Sequence, residues 1–240
     1  MLFSSLSTVA TALFFLTSSI TAKPTPPRAP NLNSLAAKIP LSGLPKPDGL
    51  ELKYVLLGVG TQNYTCTKNA TAVPGTTGAV AKLYDLGTRL NADPMAQWKI
   101  NTISGLALSL STSGNWLDNY LKLEGYNEWI GNHFFTKTDP TTNYPTFSLD
   151  KVKATPFPLA MVLKKDDVDA PKSACPGTKN EGAIKWLRLV DDKGLSLGGV
   201  NTVYRLETAG GKSPATCAGQ KEAFEVPYTA QYWVYGPPKA

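Results

Sequence analysis

The runs Val200-Asn-Thr-Val-Tyr-Arg-Leu-Glu-Thr-Ala-Gly-Gly-Lys-Ser-Pro-Ala-Thr-Cys217 and Val226-Pro-Tyr-Thr-Ala-Gln-Tyr-Trp-Val-Tyr235 decide the fold class. Both are rich in β-branched and aromatic residues, which suit a pleated, half-buried surface. Gly210-Gly211 supplies a turn between them. In the second run Val226, Tyr228, Ala230, Tyr232 and Val234 share one face. Trp233 and Tyr235 share the other with Thr229 and Gln231. Aromatics on both faces predict a strand covered on both sides, or one with a face lining a cavity.

Working outward, strand-like runs recur at 51–58, 60–66, 79–86, 159–163, 183–190 and 202–207. Gly58 and Gly60 read as turn or bulge glycines between the first two. Asp93-Pro94 reads as an N-cap and first-turn pair. It opens a short helix that would end near Gly105, with Trp98 and Ile103 on one side and a strand-like Leu106–Leu110 after it. Trp116, Leu117, Tyr120 and Leu121 have helical spacing and predict an apolar face packed on the sheet. His133 falls in an aromatic turn, Gly131-Asn-His-Phe-Phe. Many short strands with Gly/Pro turns predict an all-β fold, a β-barrel or β-sandwich, with one or two short helical inserts near 93–104 and 114–124.

The N-terminus carries an apolar run, Val9 to Leu16, ending in small residues at Ser18, Ser19, Thr21 and Ala22. It reads as a secretory signal over residues 1–22, too short to span a bilayer, with no later run of spanning length. The next segment, 23–47, has prolines at 24, 26, 27, 30, 40, 45 and 47 and reads as a Pro/Ala-rich arm. A single β domain is expected over 48–236, with 237–240 as a tail. The chain of 240 residues has a net charge of +6 spread over scattered lysines. That pattern predicts a solvated basic surface rather than a nucleic-acid partner.

Tyr54-Val-Leu-Leu-Gly-Val-Gly-Thr-Gln-Asn63 imitates a dinucleotide-binding Gly-x-Gly-x-x-Gly. The third position is Asn63, and strand and turn residues follow where a helix would have to hold the pyrophosphate. No cofactor is expected, and malate dehydrogenase activity is not. Cys-x-x-Cys spacing is absent and there is one histidine, so no metal site is expected. His133 is the candidate acid/base group, with Glu128, Asp139 or Asp150 as carboxylate partners. The competing reading is a histidine that bonds across a loop and packs on Phe134. Arg205 lies mid-strand between Tyr204 and Leu206. It is read as a cross-strand ion pair with Glu181, Asp191 or Glu225, or as a guanidinium that binds a carboxylate or sugar. Trp186, Trp233, Tyr204 and Tyr228 are candidates for an aromatic floor under a sugar or small apolar ligand.

Four segments, Tyr54–Cys66, Gly182–Leu189, Val203–Gly211 with Cys217, and Val226–Tyr235, resemble the domain of unknown function 3455, a family found mainly in secreted fungal proteins and in bacteria. The resemblance runs from about Leu50 to Tyr235. It extends to the His133 segment, where the family tends to show Gly-x-His before an aromatic. It implies secretion and a β-rich fold and transfers no catalytic residues. Three cysteines leave one unpaired. Cys66 and Cys217 both follow strand-like segments and lie in matching motifs, so they are the expected disulfide, with Cys175–Cys217 the rival. Asn69 and Asn63 head glycosylation sequons, Asn69 in the more polar loop. The expected protein is extracellular and acts by binding a cell-wall polysaccharide, a small apolar or sugar ligand, or a host protein. The alternative is a carbohydrate-active enzyme using the carboxylates near His133.

Overall fold

The computed structural model describes residues 31–41 and 43–238, so the signal expected at residues 1–22 lies outside them. The central strand β1 (Glu51–Thr65) runs unbroken between β2 (Gly75–Asp85) and β9 (Ala223–Gly236), antiparallel to both. Gly58 and Gly60 therefore lie inside one strand and do not separate two, a correction to the sequence reading. The reason is proximity. A Cβ on Gly58 would come within 2.4 Å of the Tyr232 ring, and one on Gly60 within 1.8 Å of the Val80 carbonyl oxygen. Glycine here admits a ring and a backbone, and no turn is formed.

The remaining strands are β3 (Trp129–Lys137), β4 (Asn143–Ser148), β5 (Leu159–Met161), β6 (Leu163–Val168), β7 (Trp186–Val190) and β8 (Thr202–Gly210). The sheet order is β5-β4-β3-β2-β1-β9-β8-β7-β6, all antiparallel. The outermost strands β5 and β6 are consecutive in sequence, so the nine strands curl into a nearly closed barrel. Its interior is one apolar cluster that joins Leu56, Leu83, Phe147, Leu189, Val203, Tyr228, Ala230, Tyr232 and Val234. His133 is in β3 and not in a turn; its ring stacks on Phe147 at 4.2 Å inside the barrel.

The outer face of β1, β8 and β9 is covered by helices and the arm. Val55, Leu57, Tyr204, Leu206, Trp233 and Tyr235 pack there against α3 (Ala96–Ser111) and α4 (Trp116–Glu124). Hence β9 is buried on both sides, as its two aromatic faces require. Two one-turn helices, α1 (Asn33–Ala36) and α2 (Gly87–Leu90), complete the layer. The described part of the proline-rich arm is docked here: Leu32, Leu35 and Leu44 join the core, and Tyr204 donates its hydroxyl to the Pro45 carbonyl. No described helix is long and apolar enough to cross a membrane.

α3 continues through Gly105, where the sequence predicts its end, so Leu106–Leu110 is helical. Two β9 side chains fasten it: Thr229 Oγ1 donates to the Ser104 carbonyl at 2.6 Å, and Gln231 Nε2 to that of Ile100 at 2.6 Å. Ile100 and Ile103 face the sheet, while Trp98 points outward, 62% exposed. In α4 Leu121 is buried and Trp116 is exposed. Cys66 and Cys217 form the disulfide, with Cα atoms 5.6 Å apart, and Cys175 is free.

Candidate functional site

A groove of about 760 Å³ opens between α3, the segment from Pro171 to Cys175, and the end of β8. Each wall has a local cause. Gly105 lets the Cys175 loop lie against the helix, since a Cβ there would sit 3.1 Å from that of Cys175. The Gly210 amide donates to the Cys175 carbonyl at 3.0 Å and ties the same loop to β8. Pro40 from the arm and Trp186 from β7 close the ends.

The acidic member is Glu207, and a β-bulge delivers it. Leu206 pairs with Gln231 and Ala209 with Thr229, so Glu207 and Thr208 together face one residue, Ala230. Glu207 takes the left-handed backbone conformation, φ 46°, which costs a non-glycine residue roughly 1–2 kcal/mol. Regular alternation would send Glu207 into the barrel beside Arg205. The bulge turns it instead toward the groove. Its carboxyl has no hydrogen-bond or ion partner among the described residues, and burial pushes its pKa up to about 7.

Two further polar groups line this groove without partners among the described residues. They are the Ser104 hydroxyl and the Trp186 indole N–H, on residues only 4% and 2% exposed. Asn101, Thr102, Ser109, Ser173 and Thr208 add neutral polar surface. Among the described residues Glu207 is the only carboxylate on the lining, and neither lysine nor arginine is present there. The groove can therefore offer neutral hydroxyl and amide groups and one carboxyl that changes role near neutral pH.

The sequence candidates fall into separate places. His133 is buried, and its Nδ1 lies 2.9 Å from the Thr146 carbonyl, to which it donates as the neutral tautomer. Burial lowers its pKa to about 4. Glu128 and Asp150 are exposed, and Asp139 caps a turn by accepting from the Thr141 and Thr142 amides. Hydrogen bonds from Thr141 and Thr142 hold the Asp139 pKa down at about 2. None of the three carboxylates is bonded to His133. Tyr204 and Trp233 lie in the core under the helices, whereas Tyr228 is inside the barrel, its hydroxyl 2.8 Å from that of Tyr232. These aromatics do not form one floor; of them, only Trp186 reaches the groove.

Arg205 forms no ion pair with Glu181, Asp191 or Glu225. It donates from Nε and Nη2 to the Lys185 carbonyl. Asn69 is exposed and accepts from the Thr71 amide; Asn63 lies half-buried in β1 at a register shift. Among the described residues no three His, Cys, Asp or Glu side chains are placed to hold a metal ion. The Gly58–Asn63 segment is paired on both sides in the sheet, so no helix N-terminus follows it.

Sequence reasoning missed Glu207, which figures there only within the run from Val200 to Cys217. A Glu inside a β-branched run gives no sign of a bulge. The sequence reading also held that no Gly-x-Ser-x-Gly is present, and that is corrected: Gly194-Leu-Ser-Leu-Gly198 has the nucleophile-elbow spacing. The structure puts Ser196 in the loop between β7 and β8, its hydroxyl bonded to the Met161 backbone and its amide to Asp191. That is a loop staple and lacks the strand-to-helix turn an elbow needs.

The family described as "Protein of unknown function (DUF3455)" matches the chain over residues 47–236. No curated protein and no solved structure matches it.

Proposed function

Because the chain belongs to the DUF3455 family, whose description names no chemistry, we propose from the groove itself that this is an extracellular binding protein for a neutral, hydroxyl-rich ligand of the cell-wall saccharide kind. The observation that carries this is the half-buried Glu207 carboxyl, without a partner among the described residues, set in a groove lined by the neutral polar residues Asn101, Thr102, Ser109, Ser173 and Thr208. Buried polar groups left unpaired cost about 1–3 kcal/mol each, and a ligand that pairs them recovers it. A lining free of lysine and arginine favours a neutral partner. Pro40 and Pro171 offer apolar surface to a sugar ring.

The enzymatic alternative gains one point and loses another. A carboxyl raised to about 7 suits general acid–base work. Glycoside hydrolysis ordinarily needs a second carboxyl roughly 5–10 Å away, and the groove lining has only Glu207. Binding is therefore the reading adopted. Secretion through residues 1–22 and a glycan on Asn69 belong to the same proposal; the disulfide is compatible with both.

The test is a titration of the protein with short neutral wall oligosaccharides, followed by tryptophan fluorescence and calorimetry. Saturable binding weakened about 5- to 10-fold in Asn101→Ala and Glu207→Gln, at the size of one lost hydrogen bond each, supports the groove. Binding that both variants leave unchanged would move the ligand elsewhere. No binding by any neutral oligosaccharide would remove the saccharide reading.

A further inference from the structure

The helices and the arm cover β1, β8 and β9 and leave most of the outer face of β2 and β3 open. A groove of about 430 Å³ lies on that face. Val59 and Thr61 of β1, Val80 and Lys82 of β2, and Asn132 and Phe134 of β3 line it. Strand alternation and the pairing of Lys82 with Val59 and Asn132 put these side chains on one face, away from the barrel interior. Val80 and Phe134 are 46% and 37% exposed, so the floor presents apolar surface to solvent. No carboxylate lines this groove among the described residues.

Its basic end has a defined geometry. Lys82 Nζ lies 5.1 Å from the centre of the Trp129 ring, and Lys151 Nζ lies 3.9 Å from it. A register shift between Leu83 and Tyr84 sets Trp129 opposite Tyr84, next to the Lys82–Asn132 pair. The indole is fixed by its own N–H, which donates to the Gly131 carbonyl at 2.7 Å. The Lys151 amide donates to the Ile130 carbonyl at 3.3 Å and holds its loop against β3. The ring attracts both ammoniums, yet two like charges gathered on one indole repel each other. Neither lysine is in an ion pair among the described residues. Glu128 and Asp150, the sequence neighbours of Trp129 and Lys151, are exposed and bonded to neither lysine. An anion beside the pair relieves the repulsion.

We propose that this open face binds an acidic polysaccharide, its uronate carboxylates beside Lys82 and Lys151 and its sugar rings on Val59, Val80 and Phe134. Charge complementarity selects the carboxylates, because the two ammoniums have no acid of their own. The floor selects the rings: the C–H face of a pyranose packs on Phe134 and the valines, while Asn132 and Thr61 serve its hydroxyls. The site shares no residue with the groove beside α3, so either can fail without the other.

The experiment is a calorimetric titration of the full chain with oligogalacturonate, with its methyl-esterified form and with inorganic polyphosphate. Oligogalacturonate is expected to bind saturably and to weaken as salt is raised. Lys82→Gln and Lys151→Gln are each expected to weaken it about two- to fivefold, the size of one exposed ion pair. The esterified form keeps the rings and loses the charges, so it should bind about tenfold more weakly, the product of two such pairs. Phe134→Ser should weaken oligogalacturonate about threefold. The double change Lys82→Glu with Lys151→Glu should abolish binding; all three positions are exposed, and circular dichroism checks folding. Four results overturn the proposal: no saturable binding of oligogalacturonate, equal binding of its esterified form, tighter binding of polyphosphate, or binding that survives in the folded double variant.

Discussion

Arg205 and Glu207, two residues apart on β8, lie on opposite faces of the sheet. The Arg205 side chain leaves β8 on the barrel face and Glu207 lines the groove beside α3, and neither has an ionic partner among the described residues. Regular pleating would have put them side by side, where they would neutralise each other. The extra residue in the bulge separates them, at the cost of a left-handed glutamate. Separation of these two charges leaves the Glu207 carboxyl to the groove.

Glu207 should make the protein less stable as pH rises. Its folded pKa, about 7, stands above the ordinary 4.5 because burial disfavours the charged form. Between those values the folded state holds a proton that the unfolded state has lost, so stability falls with pH. The full shift corresponds to roughly 3 kcal/mol, and partial exposure reduces that to about 2. Glu207→Gln is expected to be more stable than wild type by about that amount at pH 8 and close to neutral at pH 4. Urea denaturation at the two pH values checks this; equal differences at both would show that Glu207 does not titrate abnormally.

His133 should act in the opposite sense over nearly the same range. Its folded pKa, about 4, lies below the ordinary 6.5 because the buried ring resists charge. Below 6.5 the unfolded state takes up the proton first, so stability is full above that value and is lost as pH falls toward 4, by about 3 kcal/mol. As the only histidine in the chain, it can be followed without ambiguity. Its ring proton shifts should stay constant from pH 8 to pH 5. A midpoint near 6.5 would place the ring in water.

The two slopes oppose each other, so the wild-type protein should be nearly flat in stability between pH 4.5 and 6.5. Glu207→Gln should uncover the histidine slope, and His133→Phe the glutamate slope. Parallel curves for all three proteins would contradict the assignment.

Gly60→Ala should damage the fold more than Gly58→Ala. At Gly58 the new methyl meets a Tyr232 ring, which can shift, at an overpacking cost of about 1–3 kcal/mol. At Gly60 it meets the Val80 carbonyl 1.8 Å away, and β1 must part from β2. Thermal unfolding should rank them in that order, with Gly60→Ala poorly expressed; the reverse order would mean that the β1–β2 pair yields more easily than the aromatic core.

Reduction of Cys66–Cys217 should cost on the order of 4–5 kcal/mol, the chain-entropy value for a loop of this length, since the bond spans 151 residues. Guanidinium unfolding with and without reductant measures it. A loss under about 1 kcal/mol would show that the unfolded chain is already held compact near the bridge.

Much of the fold was legible in particular residues. The alternation from Val226 to Tyr235 announced a strand buried on both faces, and Tyr228 to Tyr235 are buried to 1% or less. The Cys66–Cys217 pair followed from motif position and helical inserts near 93–104 and 114–124 from local signals, although α3 starts at Ala96 with Met95 at its N-cap, two residues beyond Asp93. These features were readable because alternation, helical spacing and turn chemistry act over a few residues. The same locality explains the errors. Gly58, Gly60 and Gly105 read as breaks, yet each admits a distant contact, with Tyr232, Val80 and Cys175 respectively. Trp116 read as part of a face packed on the sheet, and Trp98 as sharing a side with Ile103, because nothing nearby reveals which side of a helix the sheet will cover.

The candidate site was legible only in pieces. Trp186 was singled out and Cys175 was left as a spare thiol, while Ser104 and Glu207 carried no signal. The sequence by itself determined the β-rich class, several of its strands and the two apolar faces of β9, because backbone preference and side-chain polarity are set residue by residue. Only the tertiary structure decided that β9 forces a bulge at Glu207, and that segments from Pro40 to Thr208 meet around one groove. Those outcomes depend on cross-strand register and on close approach between parts of the chain far apart in sequence.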